Sequence, residues 1–230
     1  MKISSPRDVA AFIDHTLLKA TASAGQIDAL CAEAREHGFA SVCINPCFVA
    51  RAAKILADCP VKVCTVIGFP LGATSREAKA FEARQAVEDG ADEVDMVLNV
   101  SMLKSGNPEY VLEDIESVVD TVPESVTVKV ILETCYLSED EIRAACRLAR
   151  DAGADFVKTS TGFGTGGATL EDVKTMVEEV GDCMEIKASG GIRDYPTAKA
   201  MLEAGATRLG VSAGVAIVTD SQGSADSAAY

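Results

Sequence analysis

The chain has no tryptophan, two histidines, and only 5% aromatic residues among its 230. Without large rings, Ala, Val, Ile and Leu must fill any core, and 48% hydrophobic residues supply enough of them. His15 and His37 alone furnish a zinc site poorly. No CxxC pair occurs among the eight cysteines, and several lie in apolar runs such as SVCIN and VKVCTVIG. Reduced, buried thiols are therefore expected. No apolar run reaches the length of a membrane span. The N-terminus, MKISSPRDVAAFIDH, lacks a signal-peptide core and cleavage site. A soluble, cytoplasmic protein without a membrane partner is expected. Basic residues are also short, 21 Lys and Arg against 35 Asp and Glu, a net charge of −14. Such a chain repels phosphodiester backbones, which argues against nucleic acid as a partner. A phosphate-bearing substrate would need a local pocket rich in donors.

What is present is a repeat. EHGFASVCIN, EDGADEVDMV, DAGADFVKTS and EAGATRLGVS each end a helical stretch at a glycine and enter a short apolar strand. Gly38, Gly90, Gly153 and Gly205 are the expected left-handed helix ends. Their separations of 52, 63 and 52 residues suit two strand–helix units each. The intervening strands are VKVCTVIG (61–68), TVKVILE (127–133) and EIKASGG (185–191), with FIDHTLL (12–18) as an eighth. Amphipathic helices separate them. In SREAKAFEARQAVED (75–89), Thr74 and Glu77 have the spacing of a capping box. Near-continuous apolar strands alternating with helices predict a parallel sheet. Eight units point to a closed (β/α)8 barrel, a single α/β domain over 1–230 with a loose tail from about residue 219. A doubly wound open sheet is the rival, weakened because no GxGxxG follows the first strand.

Charges interrupt four of these strands: Asp95 in EVDMVLN, Lys129 in VKVILE, Lys158 in FVKTST and Lys187 in EIKASGG. Both faces of a parallel strand are buried, so an unpaired ammonium there is costly. The plain alternative is that each lysine reaches a barrel end or forms a structural ion pair. Neighbouring lysines in a buried place disfavour each other's charge, and burial acts in the same direction. A neutral amine so produced attacks carbonyls and forms a Schiff base. Lys158 is the candidate. Beside the lysines lie three glycine-rich stretches: STGFGTGG (160–167), ASGGIR (188–193) and RLGVSAG (208–214). Glycines let backbone N–H groups approach a phosphate, and barrels commonly bind one after the seventh and eighth strands. Tight turns are the other reading of any one such loop.

Taken together, IDHTLLK, SVCINP, TVIGFPLG, EVDMVLN, KVILET, FVKTSTGFGTGGAT and IKASGGIR resemble the deoxyribose-phosphate aldolase family over nearly the whole chain. These are class I aldolases on a (β/α)8 barrel, which cleave 2-deoxy-D-ribose 5-phosphate reversibly to D-glyceraldehyde 3-phosphate and acetaldehyde. The resemblance implies that Lys158 forms the Schiff base, while Lys187 perturbs its pKa and moves protons. Asp95 would share that relay through water. Asp14, Thr16 and Thr161 would touch sugar hydroxyls or position the relay. Gly162, Gly190, Gly191, Gly210 and Ser212 would hold the phosphate, and Lys129 would support the charge network. No metal and no other cofactor is implied. A homo-oligomer is expected.

Two positions depart from the family pattern. Some members carry a lysine where this chain has Phe163, which leaves the phosphate to backbone donors with help from Arg193. Some end in a tyrosine that reaches toward the site. Here the last residue is Tyr230, on a tail of small polar residues, and both a reach to the site and a loose end stay open. His15 neighbours Asp14, but period 2 turns it the other way, so a packed histidine is expected rather than a base. Cys43 lies on a strand that runs to the same barrel end and is expected to be simply buried. Three rivals share parts of the pattern: a Schiff-base aldolase or transaldolase for another sugar phosphate, a non-catalytic sugar-phosphate-binding barrel, and a metal-dependent aldolase.

Overall fold

The four glycines that follow helical stretches all adopt positive φ: 68° at Gly38, 102° at Gly90, 81° at Gly153 and 113° at Gly205. Each reverses the chain out of a helix and into a strand, a conformation that costs a glycine nothing sterically. The computed structural model describes residues 3–221, so Tyr230 and most of the expected loose tail lie outside the described residues.

The strands are β1 (Ile13–Leu17), β2 (Ser41–Ile44), β3 (Lys62–Ile67), β4 (Glu93–Val97), β5 (Thr127–Ile131), β6 (Phe156–Lys158), β7 (Glu185–Ser189) and β8 (Arg208–Val211). They pair in parallel in chain order, and β8 returns to β1 to close the barrel. The expected closed (β/α)8 barrel is thus found, and the open sheet is not. The outer helices are α1 (Ala24–His37), α2 (Val49–Leu56), α3 (Arg76–Glu88), α4 (Val100–Lys104), α5 (Pro108–Val119), α6 (Glu139–Asp151), α7 (Leu170–Val180), α8 (Tyr195–Glu203) and α9 (Gly214–Thr219). Small and branched residues such as Val42, Val94, Val130, Val157 and Leu209 fill the space between strands and helices, all fully buried.

One local expectation is corrected. The cap of α3 is Ser75, whose side chain accepts from the Ala78 amide, and not Thr74. Adjacent hydroxyls offer the same donor–acceptor chemistry one residue apart. The path of the chain out of the β3–α3 loop decides which of them meets the free amides.

Between α3 and α5 lies a buried ion pair. Lys79 Nζ stands 2.5 Å from Asp114 Oδ2 and donates to the Val97 carbonyl at 2.8 Å. Both side chains are fully buried. Burial pushes the Lys79 ammonium down and the Asp114 carboxyl up, in each case against the attraction of its partner. Desolvation therefore outweighs pairing on both sides. Removing one partner leaves the other charge uncompensated, whereas removing both leaves none. Lys79→Met is expected to lower the unfolding free energy by about 3–5 kcal/mol in a urea titration. Lys79→Met with Asp114→Leu is expected to recover most of that loss.

Candidate active site

Alternation along the strands sends one set of polar side chains into the barrel. Asp14 and Thr16 come from β1, Asp95 from β4, Lys129 from β5, Lys158 from β6 and Lys187 from β7, all of them buried. Lys158 is the last residue of β6 and is 3% exposed. Lys158 and Lys187 are direct partners across β6 and β7.

Asp95 joins them. Its Oδ2 accepts from Lys158 Nζ at 2.8 Å and from Lys187 Nζ at 2.7 Å. Its Oδ1 accepts from Lys129 Nζ at 2.9 Å and from the Cys64 thiol at 3.2 Å. Lys187 Nζ also lies 2.5 Å from Asp14 Oδ2, an ion pair outside hydrogen-bond geometry. Lys129 reaches Glu93 at 2.5 Å, and Arg208 spans Asp14 at 2.6 Å and Glu93 at 3.1 Å. Four cationic side chains thus meet three carboxylates. The repulsion expected between neighbouring lysines is not unopposed, because a carboxylate two strands away stands between their ammoniums.

The electrostatics follow from that packing. Burial alone would raise the Asp95 carboxyl, but the ammoniums of Lys129, Lys158 and Lys187 overcome it and hold the group well below the usual carboxylate range. Asp14 is lowered in the same way, burial being outweighed by Lys187 and Arg208. Burial would lower Lys187, yet Asp14 and Asp95 push it well above the ordinary lysine value. Asp95 and Lys187 are a fixed anion and a fixed cation at the side of Lys158.

The remaining candidates divide between barrel and mouth. The Thr16 hydroxyl donates to the Asp14 carbonyl at 2.8 Å, one pleat nearer the mouth. Thr161 lies in the loop after Lys158, where its amide donates to Glu133 Oε1 at 3.1 Å and its hydroxyl contacts Glu133 Oε2. Gly162, Gly190, Gly191, Ser212 and Arg193 line one cavity of about 250 Å³. Gly190 and Gly191 have φ of 85° and 82°, a pair of left-handed residues that presents the backbone itself to the cavity. Gly210 sits on strand β8 outside that lining, where a Cβ would come 2.8 Å from Ser189 Cβ and 3.1 Å from Lys187 Cε. Its lack of a side chain makes room for Ser189 and for the end of Lys187.

His15 points outward, its Nε2 2.6 Å from Glu33 and its ring edge-on to Phe39, so it is packed as expected. Cys43 is buried beside Cys64, its partner across β2 and β3. Cys43, Cys64 and Asp95 hold three ligand-type atoms within 4.8 Å of one another, as do Asp14, Cys64 and Glu93. Lys129, Lys187 and Arg208 press on those same carboxylates, a setting that opposes a divalent cation.

Sequence reasoning missed Glu93, Arg208, Ser41 and Glu133. Glu93 and Arg208 are the first residues of their strands, where a charge reads as solvated. The Ser41 hydroxyl, 2.7 Å from Asp14 Oδ1, reads as a small core residue. Glu133 reads as the last residue of the strand TVKVILE (127–133), with nothing to mark its carboxylate as inward.

Residues 9–220 match the model of the DeoC/LacD family aldolases. The chain belongs to this family. It is accordingly an aldolase, a carbon–carbon lyase. A deoxyribose-phosphate aldolase from Thermoanaerobacter sp. (strain X514) is 61% identical over 215 residues, covering 93% of this chain and 96% of that one. The enzyme of that name from Caldanaerobacter subterraneus subsp. tengcongensis is 60% identical over 95% of this chain and 96% of its own. Among solved structures, the deoxyribose phosphate aldolase from Aeropyrum pernix, described as a unique tetramer, superposes with a TM-score of 0.88 at 35% identity, covering 94% of this chain and 92% of that one. No helix among the described residues is long and apolar enough to cross a membrane.

The shifts predict how stability depends on pH. Asp14 and Asp95 have folded values below the ordinary 3.8, so their contribution is present above it and lost as the pH falls below it. Lys187 has a folded value above the ordinary 10.5, so its contribution is present below that value and lost as the pH rises beyond it. Urea titrations across pH are expected to show the network's stabilisation intact from about pH 5 to about pH 9 and declining on both sides.

Proposed function

We propose that the chain cleaves 2-deoxy-D-ribose 5-phosphate reversibly to D-glyceraldehyde 3-phosphate and acetaldehyde, through a Schiff base on Lys158 and without a metal or other cofactor. The observation that carries this reading is the sharing of Asp95 Oδ2 between Lys158 and Lys187. An amine that must lose a proton to attack, and later see protons returned, is in contact with a carboxylate that itself contacts a second ammonium. The count of four cations against three carboxylates means that loss of one proton leaves the cluster neutral. Lys158 touches one carboxylate, while Lys129 and Lys187 each touch two.

In this mechanism neutral Lys158 Nζ adds to the C1 aldehyde of the open-chain sugar, and loss of water gives an iminium ion. Asp95, through water, accepts the C3 hydroxyl proton, and the Lys187 ammonium beside it balances the carboxylate. The C2–C3 bond breaks, its electron pair passes into the iminium to form an enamine, and glyceraldehyde 3-phosphate leaves. A proton returned to C2 and hydrolysis of the imine release acetaldehyde and restore the amine. Asp14, Thr16 and Thr161 meet the sugar hydroxyls. The cavity of Gly162, Gly190, Gly191 and Ser212 takes the phosphate, with Arg193 as the cation in its lining and Gly210 two residues before Ser212. We also propose that the whole chain is one barrel domain, that it acts in the cytoplasm, and that it assembles as a homo-oligomer, as the tetrameric relative does.

Incubation with acetaldehyde, borohydride reduction and peptide mass mapping are expected to place a two-carbon adduct on Lys158. An adduct on another lysine would move the nucleophile there. Lys158→Arg is expected to lose cleavage entirely, because arginine stays protonated. Arg193→Ala is expected to raise KM for the phosphorylated sugar by about tenfold or more, the scale of one charge-assisted hydrogen bond, and to leave cleavage of unphosphorylated deoxyribose unchanged.

A further inference from the structure

Glu133 is a buried carboxylate, 3% exposed, that the proposed chemistry does not use. It follows β5 in a left-handed conformation, φ 56° and ψ 60°, a rare state for a residue with a side chain. The ladder between β5 and β6 explains the turn. Leu132 N donates to the Lys158 carbonyl at 2.8 Å, and Thr134 N donates to the Thr159 carbonyl at 2.9 Å. Glu133 stands between these two bonds, and its reversed backbone sends its side chain forward along the loop after Lys158.

There it meets Thr161. The Thr161 amide donates to Oε1 at 3.1 Å, and the Thr161 hydroxyl contacts Oε2. An ionised carboxylate only accepts, so the hydroxyl proton must point at Glu133. The hydroxyl oxygen then has two lone pairs. One receives the Phe163 amide at 3.0 Å. The other remains, and it can only accept. Glu133 and Thr161 both line a cavity of about 300 Å³ at the barrel mouth, bounded by Pro70, Leu71, Tyr136 and Phe163.

We propose that Glu133 is a positioning residue that fixes the Thr161 hydroxyl as an acceptor for one hydroxyl of the sugar phosphate. This rests on the reading of Lys158 as the Schiff-base residue and of Thr161 as a sugar contact. It goes beyond both by assigning the direction of the hydrogen bond and the group that imposes it. The loop's other anchor is independent of Glu133: Thr159 Oγ1 accepts from Ser189 N at 3.1 Å, and Ser189 Oγ donates to the Ser160 carbonyl at 2.7 Å. Lys158 is held by the barrel itself. Loss of Glu133 should therefore damage sugar recognition while sparing reaction of Lys158 with a small aldehyde that has no hydroxyl.

The test measures two rates in each variant: cleavage of 2-deoxyribose 5-phosphate, and borohydride trapping of acetaldehyde on Lys158. Glu133→Ala is expected to lower kcat/KM for cleavage by about 100-fold, the cost of a misplaced contact, with trapping within about threefold of the wild type. Glu133→Gln keeps an acceptor for the Thr161 amide but donates to the hydroxyl. It is expected to fall between Ala and wild type in cleavage, and it carries the test if the alanine variant fails to fold. Thr161→Val should show the same split between the two rates, and adding it to Glu133→Ala should cost nothing further. Unchanged cleavage in a folded Glu133 variant overturns the proposal, as does a parallel loss of trapping and cleavage. Absence of a Lys158 adduct in the wild type instead overturns the reading on which it rests.

Discussion

Asp95 Oδ2 accepts two ammoniums, from Lys158 at 2.8 Å and Lys187 at 2.7 Å, while its Oδ1 takes a third from Lys129 at 2.9 Å. Taking any one of these charges out of water is expensive, and a lone ammonium in this interior would shed its proton or unfold its surroundings. Each is tolerated because the others are present. The cluster in turn depends on the barrel's closure. Asp14 on β1, Asp95 on β4, Lys158 on β6 and Lys187 on β7 reach one another only because β8 pairs with β1. An open sheet carrying the same residues would leave Asp14 on one edge strand and Lys187 six strands away.

The cluster is layered along the barrel axis. Glu93 and Arg208 begin their strands and pair at 3.1 Å, closing the lower side of the network. Lys129, Asp95, Asp14 and Lys187 form its middle. Lys158, at the end of β6, is the member next to the loops. The proposed nucleophile is thus the member of the network nearest the loops. The chain's net charge of −14 does not describe this place, since the cluster sets Lys129, Lys158, Lys187 and Arg208 against Asp14, Glu93 and Asp95, and the glycine cavity adds Arg193. The proposed phosphate cavity is locally attractive to an anion in an acidic protein.

Much of this was legible along the chain because the signals are local. Gly38, Gly90, Gly153 and Gly205 mark helix ends through a backbone preference that needs no neighbour. Lys158, Lys187 and Asp95 stand out because a charge inside an apolar strand is costly wherever that strand packs. Other features were illegible for a matching reason. Thr74 and Ser75 are equivalent in chemistry, and only the incoming direction of the chain chose the second. Glu93 and Arg208 open their strands, where a charge is ordinarily solvated, and their inward turn depends on partners more than a hundred positions apart. Glu133 resembles any acid at the end of a strand until its left-handed backbone aims it at Thr161.

The sequence by itself determined the alternation of strand and helix, the parallel sheet and the charges that interrupt its strands, and it favoured the barrel over an open sheet. Periodicity, capping and the cost of burying an ion are properties of short segments. Only the tertiary structure decided which charges meet. It placed Asp95 between two lysines expected to repel each other. It used Gly210 to make room for Ser189 and Lys187. It also gave Thr161 a carboxylate partner that sets the direction of its hydrogen bond. Contacts of that kind depend on angles and distances between distant strands, and those are fixed only when the barrel closes.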